Sequence, residues 1–129
     1  MQKTDDHTIS YETIEKSIEL VSGVFGAYKK NLQWMDLYLS ALFLDRGVEI
    51  EPSERLGFSP YGRLKSEEAR INRALTTIRL VKEGKVSDSQ RSLIAAYNSL
   101  EKSNITLADG VKKITDLYFD LADEYDLKS

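Results

Sequence analysis

The sequence predicts an all-α fold, a four-helix bundle with a long first helix. Three observations lead there. Apolar residues recur at helical spacing through most of the 129 residues. Proline and glycine are sparse, at two and seven, so little interrupts a helix. No stretch shows the strict apolar–polar alternation of a half-buried strand.

The first element carries the strongest signal. Ile14, Ile18, Val21, Phe25, Tyr28, Leu32, Met35, Leu39 and Leu42 alternate at spacings of four and three, an unbroken heptad seam. Ser10 suits the N-cap, and Glu12 sits in the first turn, where the helix dipole favours a carboxylate. Gly47 suits the stop. The predicted helix has about 35 residues and spans roughly 50 Å. Gly23 and Gly26 lie off the seam, each costing about 1 kcal/mol relative to alanine. They permit a kink or the close approach of another helix. Trp34, Leu37, Ala41 and Leu44 form a second apolar row. A helix apolar on most faces is buried on more than one side. Phe25, Tyr28, Leu32, Trp34, Met35, Leu39 and Leu42 are therefore candidates for the core or for a subunit interface.

Residues 47–65 read as a long inter-helix loop. Within it, Pro52 opens a single helical turn that ends at Gly57, and Ser59-Pro60-Tyr61-Gly62 reads as a type I turn. A second helix is predicted from Ser66 to Glu83, with Ile71, Ala74, Leu75, Ile78 and Val81 on its apolar face and Gly84 after its end. A third begins at a capping box, Ser87 with Gln90, and carries Leu93, Ile94, Tyr97 and Leu100. The fourth begins near Thr106, with Asp109 three residues on. Leu107, Val111, Ile114, Tyr118, Leu121 and Tyr125 form its seam. The reading is one domain over 1–129, with 1–8 a frayed N-terminus. A long helix among three shorter ones overhangs them unless it kinks or meets a second chain, which predicts a homo-oligomer.

Composition narrows the chemistry. Cysteine is absent, which excludes disulfides, thiolate metal sites and cysteine nucleophiles. The single histidine, His7, sits in a polar terminal segment with nothing nearby to make it a general base. Glu12, Glu15 and Glu19 share one helix face, and Asp116, Asp120 and Asp123 another. Such clusters can hold Mg²⁺ or Mn²⁺, but they are also what a solvated helix face requires. Neither a Glu-x-x-His pair nor a Gly-Lys-Ser phosphate loop is present. The expectation is a non-enzyme with no catalytic residue, metal or cofactor. The N-terminus has no apolar signal-peptide core. The most apolar stretch, residues 32–44, is too short to span a bilayer and contains Asp36. A cytoplasmic protein with no membrane partner is expected.

Charge is unevenly spread. Residues 1–54 balance at −5, residues 55–85 at +5 and residues 86–129 at −3. At the start of the basic island lies RLGFSPYGRLK, residues 55–65, with no acid in it. Arg55, Arg63, Lys65, Arg70 and Arg73 cluster here, interleaved with Phe58 and Tyr61. Basic groups neutralise phosphates and aromatic faces stack on unpaired bases. The same residues can instead plug one end of the bundle, with the arginines paired to acidic helices.

Leu56, Gly57, Ser59, Pro60 and Arg63 carry one resemblance. The segment LGFSPYGRL resembles the Leu-Gly-Leu-Thr-Pro-x-x-Arg stretch of a family of phage terminase small subunits, with serine in place of threonine. In that family the stretch lies near the C-terminus; here 65 residues follow it. The resemblance implies a nucleic-acid-binding packaging accessory.

The expected function is therefore an interaction or regulatory protein. It would bind a macromolecule, most readily a protein, through its helix faces and the basic segment 55–73. One alternative is a nucleic-acid-binding accessory of the phage packaging kind. Another is a small acidic immunity or anti-defence protein that blocks a basic partner.

Overall fold

The computed structural model describes residues 8–125. His7 and nearly all of the expected frayed N-terminus lie outside the described residues. Within them the chain is all-helical, with no strand and four helices: α1 (Tyr11–Arg46), α2 (Pro52–Leu56), α3 (Pro60–Lys82) and α4 (Ser89–Glu124).

Helix α1 keeps its expected ends. The Ser10 hydroxyl accepts from the Thr13 N–H at 3.2 Å. Gly47 ends the helix at φ 67°, its N–H donating to the Phe43 carbonyl at 2.8 Å. That left-handed conformation costs glycine nothing. The helix runs through Gly23 and Gly26 without a break. A Cβ at either glycine would meet nothing within 4 Å, so no helix of this chain approaches there. The heptad seam faces inward. Ile14, Val21, Tyr28, Leu32, Met35 and Leu42 are buried, and Ile18, Phe25 and Leu39 pack against them half-buried.

Pro52 does open a one-turn helix, α2, which Gly57 ends at φ 79°. The expected type I turn at Ser59-Pro60-Tyr61-Gly62 is instead the beginning of α3. Ser59 caps that helix, its hydroxyl accepting from the Gly62 N–H at 3.0 Å, and Pro60 is the first helical residue. A type I turn and the first turn of a helix share their dihedral angles, and proline favours the same place in both. Helix α3 thus starts six residues before the expected Ser66. At its far end Gly84 takes φ 71°.

The expected third and fourth helices are one, α4. Its N-cap is Asp88, whose carboxylate accepts from the Arg91 N–H at 3.1 Å. Gln90 does not close a capping box with Ser87. Its side-chain amide instead pairs with the Ile9 backbone, accepting at 2.8 Å and donating at 3.4 Å. Asp109 lies inside the helix and caps nothing. The buried residues of α4 explain its continuity. Leu93, Ala96, Leu100, Ser103, Leu107, Gly110, Ile114, Leu117 and Leu121 alternate at three and four without a gap. Ser103 and Gly110 hold seam positions as small residues.

Packing pairs set the directions. Along α1 and α4, Ile9 meets Gln90, Ser17 meets Glu101, Asn31 meets Thr115 and Tyr38 meets Tyr118. The two helices therefore run parallel and in step. Helix α3 returns antiparallel to both: Pro60 meets Tyr28, and Lys82 lies over the Tyr11 ring. Helix α4 packs along both α1 and α3, which touch each other less. Both long helices have 36 residues. The expected overhang of α1 is absent, because α4 accompanies it throughout.

Tyr28 locks the centre. It is fully buried, and its hydroxyl donates to the Pro60 carbonyl at 2.7 Å. Burial pushes its phenol up to about 12; Arg63 opposes the shift and Glu67 adds to it. A phenol with a raised folded-state pKa stabilises fully below its unfolded value of 10 and loses that contribution as pH rises towards 12. Resistance to urea is therefore expected to fall between pH 10 and 12, and Tyr28→Phe is expected to make that fall shallower.

Candidate functional site

The basic segment folds back along α4. Arg55 grips Glu124 through two hydrogen bonds, 2.9 and 3.1 Å long. This pair raises the guanidinium pKa and lowers that of the Glu124 carboxyl. Arg63 bonds Asp109 at 3.3 Å and lies 3.6 Å from the centre of the Phe58 ring, with Lys113 on the same ring at 5.7 Å. Arg70 holds the buried Glu67 at 3.1 Å. The Tyr61 hydroxyl bonds Asp36 of α1. Burial, together with that carboxylate, pushes the Tyr61 phenol up to about 12. Leu56 and Leu64 pack against the core. Of the basic residues singled out, Lys65 and Arg73 stand exposed on α3. The acid-free segment thus meets carboxylates that the acidic helices bring to it.

The acidic clusters do not meet. Glu12, Glu15 and Glu19 sit near the N-terminus of α1, and Asp116, Asp120 and Asp123 near the C-terminus of α4. Since α1 and α4 run parallel, these clusters lie at opposite ends, roughly 35 Å apart. Among the described residues, no three His, Cys, Asp or Glu side chains converge to hold a metal ion. No described helix is long and apolar enough to cross a membrane.

A different surface stands out. Trp34 does not join the core: it is 63% exposed, as is Leu37, and Leu44 is 81% exposed. Phe119 on α4 is 58% exposed and shares a cleft with Trp34. Trp34, Tyr118 and Phe119 line a cleft of about 220 Å³ between α1 and α4, with Met35 and Ile114 also lining it. Tyr118 stacks on Tyr38 at 4.6 Å and meets Phe119 edge-on at 5.4 Å. The buried Tyr38 hydroxyl has no hydrogen-bond partner among the described residues.

This face is ordered along α1. Gly23, Ala27, Lys30, Trp34, Leu37, Ala41 and Leu44 are all exposed, at spacings of four and three. They form a second heptad seam on the side away from the core. The sequence shows its last four members as a row. The first three are small or charged and carry no hydropathy signal, so only their exposure reveals the continuity.

No protein-family model matches the sequence, and no curated protein and no solved structure matches it either.

Proposed function

We propose that this chain is a non-enzymatic helical bundle that works by binding another protein in the cytoplasm. Its binding face is the exposed apolar surface of α1 and α4. The observation that carries this reading is the exposure of Trp34, Leu37 and Leu44 on one helix face, with Phe119 of α4 beside Trp34. Single exposed apolar residues are ordinary, but contiguous ones mark interaction sites. Trp, Tyr and Phe are enriched at interfaces because they cover much area with few rotatable bonds.

The basic segment supports a weaker reading. Arg55, Arg63 and Arg70 already hold carboxylates, so a phosphate would have to displace them. Contact with nucleic acid would rest on Lys65 and Arg73.

A photo-reactive side chain placed at Leu37 or at Arg73, in cells that make this protein, separates the two. A discrete protein adduct from Leu37 but not from Arg73 is the expected result. Adducts from Arg73 alone would move the function to the basic segment. Adducts from neither would remove the protein-binding reading.

A further inference from the structure

We propose that the outer seam of α1 closes on a second copy of this chain, with the two α1 helices antiparallel and crossing at Trp34. The inference rests on the protein-binding reading of this face and names its partner. A 3.5-residue repeat of apolar residues is the pattern that receives another helix, because it keeps one stripe facing the partner; Trp34, Leu37, Ala41 and Leu44 supply it on this exposed face.

The seam is complementary to itself when reversed. Its first half holds Gly23, Ala27 and Lys30 and its second half Leu37, Ala41 and Leu44, so reversing one copy brings the bulky end of the seam onto its glycine end. Antiparallel pairing about Trp34 sets Gly23 against Leu44 of the other copy, Ala27 against Ala41 and Lys30 against Leu37. Space beside Gly23 is open, with nothing within 4 Å of where a Cβ would stand. A leucine from a second chain has room there. Such a pairing is isologous, the same patch on both protomers.

Parallel pairing fits badly. It would stack glycine on glycine, leaving a void, and lysine on lysine. It would also bring Glu12, Glu15 and Glu19, all exposed on α1, beside their own copies. In the antiparallel arrangement those residues run past the other copy's Gly47, where its helix ends. The apolar stretch and the overlap therefore coincide.

The area suffices for a modest dimer. Residues 23–44 span about 33 Å of helix. A contact stripe about 15 Å wide buries on the order of 500 Å² per protomer, close to the roughly 1,000 Å² total that a specific interface needs. Tyr118 and Phe119 extend the rim.

The chain has no native cysteine, so single-cysteine variants report cleanly. Ala27→Cys and Ala41→Cys both change exposed alanines. With a short thiol-to-thiol cross-linker at about 100 µM protein, the two variants mixed are expected to join 27 to 41. Neither variant alone is expected to cross-link, because its two thiols lie about 21 Å apart in the antiparallel pair. Self-linking of each variant alone would show a parallel pair and overturn the proposal. Sedimentation equilibrium of the unmodified chain is expected to show a dimer, and Leu44→Glu is expected to weaken it at least tenfold. A monomer at that concentration, or a dimer indifferent to Leu44→Glu, would also overturn it. A monomer that still gives a Leu37 adduct to a different protein fails this inference alone. A monomer with no Leu37 adduct fails the protein-binding reading too.

Discussion

Ile105→Pro is expected to cost about 3 kcal/mol or more of folding stability. The side chain contributes little, since Ile105 is 69% exposed. The cost lies in the backbone. Residue 105 is in the middle of α4, which runs from Ser89 to Glu124. Proline there removes one N–H from the helical ladder and drives its ring against the carbonyl four residues earlier. The kink would also shear Leu100 and Ser103 out of register with Leu107, all three fully buried. Local sequence leads to the opposite expectation, because Ile105 immediately precedes a predicted helix start at Thr106, where proline is tolerated. Urea unfolding decides between them. Ile105→Ala is the control and is expected to stay within about 0.5 kcal/mol. If the proline variant matches that control, α4 is two helices.

Gly110→Ala is expected to destabilise by about 2 kcal/mol, against the helix propensity that alone would stabilise it by about 1 kcal/mol. The added methyl would overlap the Tyr28 ring, whose Cδ2 lies 3.0 Å from where the Cβ must stand. That ring cannot swing away, because it is fully buried and its hydroxyl is tied to the Pro60 carbonyl. Gly26→Ala is the contrasting case. It meets nothing within 4 Å, so it is expected to stabilise by up to about 1 kcal/mol. Tyr28→Leu placed beside Gly110→Ala should cost less than the sum of the two single changes, since the first removes what the second collides with. Additive costs in that double-mutant cycle would show that the ring and the glycine do not touch.

The helical class and the alignment of the long apolar seam of α1 were legible in the sequence. A heptad repeat of nine large apolar residues aligns them on one stripe of a helix. The capping residues Ser10, Gly47 and Gly57 were legible too, because their roles depend only on near neighbours. The length of α4 was not. Its seam passes through Ser103 and Gly110, which hydropathy reads as a break. Gly110 is small because Tyr28 fills its space, and Tyr28 lies about eighty residues away in sequence. The start of α3 was hidden because a type I turn and a helical first turn share their angles. Only the backbone beyond Gly62, which stays helical, distinguishes the two.

The candidate surfaces divide in the same way. Charge counting found the basic island, and it found the acidic flanks. It did not show that Arg55 reaches Glu124 or that Arg63 reaches Asp109, because those pairs form only when α2 and α3 lie along α4. Periodicity found the row from Trp34 to Leu44 but left open whether it is core or exterior. That was decided by the packing of α4 and α3 against the other seam of α1. A helix has two sides that can carry apolar residues, and sequence spacing describes both equally. By itself the sequence determined that this chain is helical and which residues of α1 align. Only the tertiary structure decided which side faces inward, because burial depends on which neighbours arrive.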